Sequence, residues 1–181
     1  ARLTLPAEGV SEWKLKASGM HLVVLRSAIE RFEPGLIVSG QLTTELAGSW
    51  DHEFSQAAVK GGAHIDQLVL AGGPLGGDRL QLKRTDVPID IEMRDGALVF
   101  RQLAPRCDVG ALQVTGALNL HPAAAEPQLL GLGIRDRLDV RGRVDLARLA
   151  ALLPATLHIR QDTTIDSGEV QLVVTGSTAE G

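Results

Sequence analysis

The sequence predicts a mostly-β protein, a curved antiparallel β-sheet forming either an open groove (a half-pipe) or a closed sandwich, with one or two short helices. Three observations predict it. Apolar and polar residues alternate over many short stretches, a glycine recurs in the apolar phase of several of them, and an Asp-Gly pair joins two. Helical spacing of apolar residues is confined to two segments.

Taken in order, residues 12–16 form the first alternating run. Leu22, Leu25, Ile29 and Phe32 then lie on one helical stripe that Pro34-Gly35 ends, although Val23-Val24 would suit a strand as well. Leu36, Val38, Gly40 and Leu42 read as a strand. Gly61-Gly62 reads as turn material, 64–70 as a strand, the run from Gly72 to Gly77 as a flexible hairpin loop, and 79–83 as a strand. In the next strand Val87, Ile89, Ile91 and Met93 share one face, and Pro88, Asp90, Glu92 and Arg94 the other. Asp95-Gly96 turns it back into 97–103, because Gly supplies the positive φ of a two-residue hairpin. Pro88 has no backbone donor, which predicts an edge strand or a place near a strand's start.

One unit recurs: apolar, x, apolar, x, Gly, x, apolar. It occurs at Leu36-Val38-Gly40-Leu42, at Leu112-Val114-Gly116-Leu118-Leu120 and at Leu138-Val140-Gly142-Val144-Leu146, with a truncated copy at Leu172-Val174-Gly176. Glycine in the apolar phase lets a strand bend, bulge or accept close packing. Residues 145–154 read as the second helix, with Asp145 as N-cap, Leu146, Leu149, Leu152 and Leu153 on one side, and Pro154 as the stop. Each helix follows a strand bearing Gly (Gly19, Gly142) and precedes a Pro and another Gly (Gly40, Gly168), a loose internal duplication around the central meander.

Composition narrows the function classes. The 181 residues suit a single β-rich domain, 1–181, expected to be a piece of a longer protein or a processed form. With 44% hydrophobic and 22% charged residues the chain is neither disordered nor a coiled coil. A net charge of -4 offers no basic footprint for nucleic acid. Tyr is absent and there are only 3 Phe and 2 Trp, so platforms for stacking bases or sugars have little material. No apolar run reaches the roughly 18 residues of a membrane span. Cys107 stands alone, which rules out an intrachain disulfide and a zinc site with two thiolates.

Reactive-looking residues each have a plainer reading. In Asp51-His52-Glu53 neighbouring strand residues face opposite ways, so at most Asp51 and Glu53 converge, and a solvated strand or turn is the better account. His64 and Asp66 share a strand face and can pair, with no nucleophile beside them. His21, His121 and His158 have no ligand partners at suitable spacing. The glycine run ending at Asp78 has no Lys-Ser/Thr after it and opens no helix, which argues against a phosphate cradle. Arg106 would favour a Cys107 thiolate, but a lone strand Cys is ordinarily a small apolar residue. Asp162, Thr163, Thr164 and Asp166 read as a polar turn. No catalytic, metal or cofactor set emerges, and a non-catalytic protein is expected.

The run Leu138 to Pro154 (strand, Gly, short Leu-rich helix, Pro), followed by Ile165-Asp-Ser-Gly-Glu-Val-Gln-Leu172, resembles the repeating unit of AsmA-like and TamB-like bacterial envelope proteins. Leu25 to Leu46, with Phe32-Glu33-Pro34-Gly35 and Val38-Ser39-Gly40, is similar as a looser copy, and the resemblance spans roughly residues 11–178. It implies a half-pipe sheet with an apolar inner face in the periplasm or cell envelope, conducting phospholipid or serving outer-membrane assembly. The membrane anchor of that family is absent from this sequence, so one segment of such a protein is expected, with neighbouring domains of the same parent as further partners.

The residues support the same choice without the family. A sheet with one apolar face must cover it with another sheet or with an apolar ligand such as a phospholipid or other acyl-chain lipid, and two short helices are too few to cover it. The residues nominated for lipid contact are Leu36, Val38, Leu42, Ile89, Ile91, Met93, Leu112, Val114 and Leu118, in the phase expected to face inward. The alternative is a closed sandwich acting as a structural or protein-interaction module.

Overall fold

A computed structural model describes residues 2–3, 9–52, 55–94, 96–119, 138–160 and 162–176. The strands are β1 (Arg2–Leu3), β2 (Val10–His21), β3 (Leu36–Asp51), β4 (Gln56–Gly72), β5 (Arg79–Arg94), β6 (Ala97–Leu103), β7 (Arg106–Cys107), β8 (Gly110–Asn119), β9 (Leu138–Asp145) and β10 (Glu169–Thr175). All ten belong to one antiparallel sheet in the order β1-β2-β3-β4-β5-β6-β8-β9-β10, with the short β7 bridging β5 and β8. Every step except β6–β8, which skips the short β7, joins sequence neighbours, as expected of a meander whose turns are local. As predicted, the protein is mostly β, and the described residues form a single antiparallel sheet with two short helical segments.

Bulges bend it. Register shifts fall between Ala17 and Met20 in β2, at Gly40 in β3 and between Phe100 and Leu103 in β6. An extra residue on one strand increases local twist and turns the strand. At Gly40 (φ +143) a Cβ would lie 3.1 Å from the Asp66 carbonyl oxygen and 3.2 Å from that of Gln67, so only glycine can sit opposite the bulge that Gln67 makes at φ +51. Beyond it Asp66 and Gln67 in β4, and Lys83 and Arg84 in β5, are all exposed.

Three expectations are corrected. Gly61-Gly62 is strand interior in β4, where Leu46 pairs with Gly61 and a Cβ on Gly61 would collide with the Glu45 carbonyl; glycine there serves close strand approach rather than a turn. Pro88 lies in mid-strand on β5, which is central. It is tolerated because its carbonyl, and hence the side where its amide would be, points at the break between β6 and β7, where Ala104 donates to Pro88 at 3.3 Å. The loop from Gly72 to Gly77 is not free either: the Asp78 carboxylate accepts from the amides of Ala155 (3.1 Å) and Thr156 (2.6 Å), and Thr156 Oγ1 donates to the Leu75 carbonyl at 2.8 Å.

Both helical segments sit at one end of the sheet. The first is a 3-10 turn (Leu22–Leu25) leading into α1 (Arg26–Phe32), and the second is α2 (Leu146–Leu152). Because the first begins with three residues per turn, the expected stripe does not stay in phase: Leu22 is buried while Phe32 is 85% exposed. α2 follows its prediction, with Asp145 Oδ1 accepting from the Arg148 amide at 3.0 Å and the helix stopping before Pro154. Asp145→Ala is expected to cost about 1 kcal/mol, read as a lower midpoint in urea unfolding. The Asp-Gly hairpin forms as predicted between Arg94 and Ala97, with Gly96 at φ +74; Asp95 lies outside the described residues.

The buried apolar residues are Leu22, Leu82, Ala104, Val109, Ala150 and Leu153. Ala104 lies beside Pro88 in mid-sheet, and the others lie toward the helical end. There Arg148 pairs with Asp108 at 3.0 Å, Asp108 accepts from the Lys83 amide at 3.1 Å, and the Asp145 amide donates to Val109. Away from that end most described side chains are half-buried or exposed, with Ser11 (6%) and Thr44 (5%) buried.

Candidate functional site

Cross-strand register sorts the sheet into two chemically distinct faces. One row runs Leu15, Leu46, Gly61, Ile89, Leu103, Val114, Val140, Val174. The adjacent row runs Trp13, Gly48, Val59, Ile91, Phe100, Gly116, Leu138, and the next Ser11, Trp50, Ala57, Met93, Leu98, Leu118. Since directly opposed residues project to the same side, these rows make one apolar face across β2 to β10. Gly142 in β9 leaves room on it between Leu112 Cδ1 (3.4 Å) and Leu172 Cβ (3.5 Å).

All nine nominated residues fall on this face. Ile89, Ile91, Met93, Val114 and Leu118 lie in the rows above; Leu112 is two places along β8 from Val114; and Leu42 pairs with Ile65 and so continues the face through Thr85 and Val87. Leu36 and Val38 extend it along β3 toward the helices. Toward β10 the face is exposed, Leu112 to 36% and Leu172 to 48%, whereas Ser11 (6%) and Thr44 (5%) on its β2–β3 side are buried. Sequence reasoning missed Trp13, Trp50 and Phe100, the bulkiest members, because nothing local says which strand phases align across the sheet.

The other face is charged and internally neutralised. Lys60 pairs with Asp90 (3.2 Å), Arg94 and Arg101 clasp Glu92 (2.6 Å each), Arg141 holds Asp139 (2.9 Å) and Arg143 holds Glu169 (2.5 Å). Lys16 lies 3.6 Å from Glu45. A hollow of about 620 Å³ on this side is lined by polar residues, Lys16, Glu45, His64 and Asp86 among them, and by the apolar Ala63 and Pro88.

His64 sits in that hollow between two carboxylates, Nδ1 2.7 Å from Asp86 and Nε2 2.9 Å from Asp66. The predicted pairing with Asp66 is present. Asp86 was not foreseen, being 22 residues away and adjacent only through the β4–β5 register. Both ring nitrogens are engaged by carboxylates, and among the described residues no group of three His, Cys, Asp or Glu is placed to hold a metal. Cys107 is half-buried in β7 opposite Thr85. His21, His52 and His158 are exposed, while Glu53, Leu120 and His121 lie outside the described residues.

The Asp86 carboxyl is held below its usual range, first by the hydrogen bond with His64 and then by that with Arg84; Glu92 is lowered first by its hydrogen bond with Arg101. A depressed folded pKa gives stability that is complete above the unfolded value and lost as pH falls through the folded one. The thermal midpoint is therefore expected to stay level from pH 7 to about 5 and to fall below about 4, where free carboxylates begin to protonate. The drop is modest, because these pairs are open to solvent; circular-dichroism melts across that range check it.

Among the described residues no helix is long and apolar enough to cross a membrane. No family model, no curated protein and no solved structure matches the chain.

Proposed function

We propose that this chain is a non-catalytic, lipid-binding segment of an AsmA-like or TamB-like envelope protein, carrying acyl chains along its apolar sheet face in phospholipid transport or outer-membrane assembly. One observation supports the reading above the others: an apolar face that continues in register from β2 to β10, over which the described residues place no second sheet. Water against so large an apolar surface is unfavourable by roughly 25 cal/mol per Å², and acyl chains remove that cost without requiring polar partners. The ion pairs on the opposite face fit a side that meets solvent. A periplasmic or envelope location follows from the same reading.

Native mass spectrometry of the protein expressed in a double-membraned bacterium tests it, together with a photo-crosslinking residue at Ile91. The expected result is co-purifying phospholipid and a lipid adduct at Ile91 that is absent from a probe at Lys60 on the charged face. Delipidated spectra with no adduct at Ile91 would overturn the proposal.

A further inference from the structure

The two edges of the sheet are unlike. At one, β2 carries Glu12, Lys14 and Lys16, a bulge between Ala17 and Met20, and β1 against Trp13 and Lys14. Charges, bulges and a short cover strand are the usual means of keeping an edge from pairing. At the other edge β10 reads Glu-Val-Gln-Leu-Val-Val-Thr, with no Pro, Lys or bulge over seven residues in unbroken register with β9. Its side chains are all exposed, and Val173 reaches 65% exposure in a phase that elsewhere carries ion pairs.

The hydrogen-bonding phase of this strand is fixed at both ends. Gly168 accepts from Leu146 and Gly176 donates to Leu138, so the even-numbered residues between them face β9. The main-chain groups of Glu169, Gln171, Val173 and Thr175 consequently point outward, along an edge that no other described strand pairs. We infer that this edge takes a second copy of the same strand, antiparallel, on a two-fold axis at Leu172. That register alone overlaps all seven residues. It sets Gln171 opposite Val173 of the second copy and Glu169 opposite Thr175, each an outward-facing pair able to exchange two bonds, about eight in all. Leu172 meets Leu172 of the second copy as a close non-hydrogen-bonded pair, and Val170 meets Val174.

The sequence suits this pairing. The only charge on the strand, Glu169, meets a neutral Thr and keeps Arg143 as its partner, so no like charges are opposed. Even residues meet even residues, so the apolar faces of the two sheets join into one continuous surface. With the β2 edge blunted, the contact closes as a symmetric pair and does not propagate into a filament. A seven-residue strand edge is small for a stable interface, which makes the dimer a concentration-dependent one.

Sedimentation velocity from about 1 to 200 µM tests the inference, with the complete chain and with two variants. Val173→Pro removes an outward donor without breaking a bond to β9, and Gln171→Lys/Val173→Lys sets Lys against Lys across the axis. The expected result is a monomer–dimer equilibrium for the native chain, weakened at least tenfold in both variants, with near-native circular dichroism. A Leu172→Cys variant, made with Cys107→Ser, should form a disulfide-linked dimer on mild oxidation and lose it when Val173→Pro is added. A native chain that stays monomeric at 200 µM would overturn the inference. So would a dimer that survives both edge variants, which would place the contact on the apolar face, or a Leu172→Cys protein that does not crosslink.

Discussion

Val114→Asp is expected to leave the protein folded and to abolish lipid capture. In a dry core an unpaired carboxylate costs several kcal/mol and unfolds a domain of ordinary stability. Val114 is half-buried in a row whose outer members, Leu15 and Val174, are each 40% exposed, so an Asp there retains access to water. It does, however, place a charge in the middle of the face, beside the Phe100 and Gly116 row, where an acyl chain would have to pass. The melting midpoint should fall by only a few degrees, while lipid adducts at Ile91 disappear. If the variant unfolds and the parent gives no adduct at Ile91, the face is covered by protein and the lipid reading fails.

Leu153→Ala is expected to cost about 2–5 kcal/mol, the usual range for a buried Leu truncated in place, and to lower the melting temperature by roughly 5–15 °C. Leu153 is 8% exposed and caps α2 at the helical end of the sheet, where Ala150 is also buried. Leu172→Ala supplies the contrast. It removes the same side chain from a site 48% exposed, and its effect should stay within about 1 kcal/mol. Guanidinium unfolding of the three proteins measures both differences. Equal losses would mean that the sheet face is as tightly covered as the helical end, contrary to the exposures.

Some of this was legible locally. Period-two alternation identified the strands around Val87 to Met93 and around Val114, because each such residue contributes the same signal wherever its strand lies in the sheet. Asp145 and Pro154 bounded α2 because capping and the missing proline donor act within one turn, and Gly96 marked its hairpin for the same reason. The apolar phase of β3, β5 and β8 was readable residue by residue, which is why the nine nominated positions fall on one face.

What depended on partners was not legible. Pro88 was read as an edge residue because its missing donor is a local fact, whereas the break at Ala104 that excuses it lies on another strand. Gly61 resembles a turn residue until the Glu45 carbonyl is brought against it. Phe32 left its stripe because a 3-10 turn changed the helical phase upstream. His64 acquired Asp86, and Trp13 and Trp50 joined the apolar face, only through register, since pairing between strands is set by many contacts summed over the sheet. Sequence determined which side of each strand is apolar; the tertiary structure decided that these sides form one continuous face, that α2 sits at its end, and that the outward main-chain groups of β10 meet no strand among the described residues.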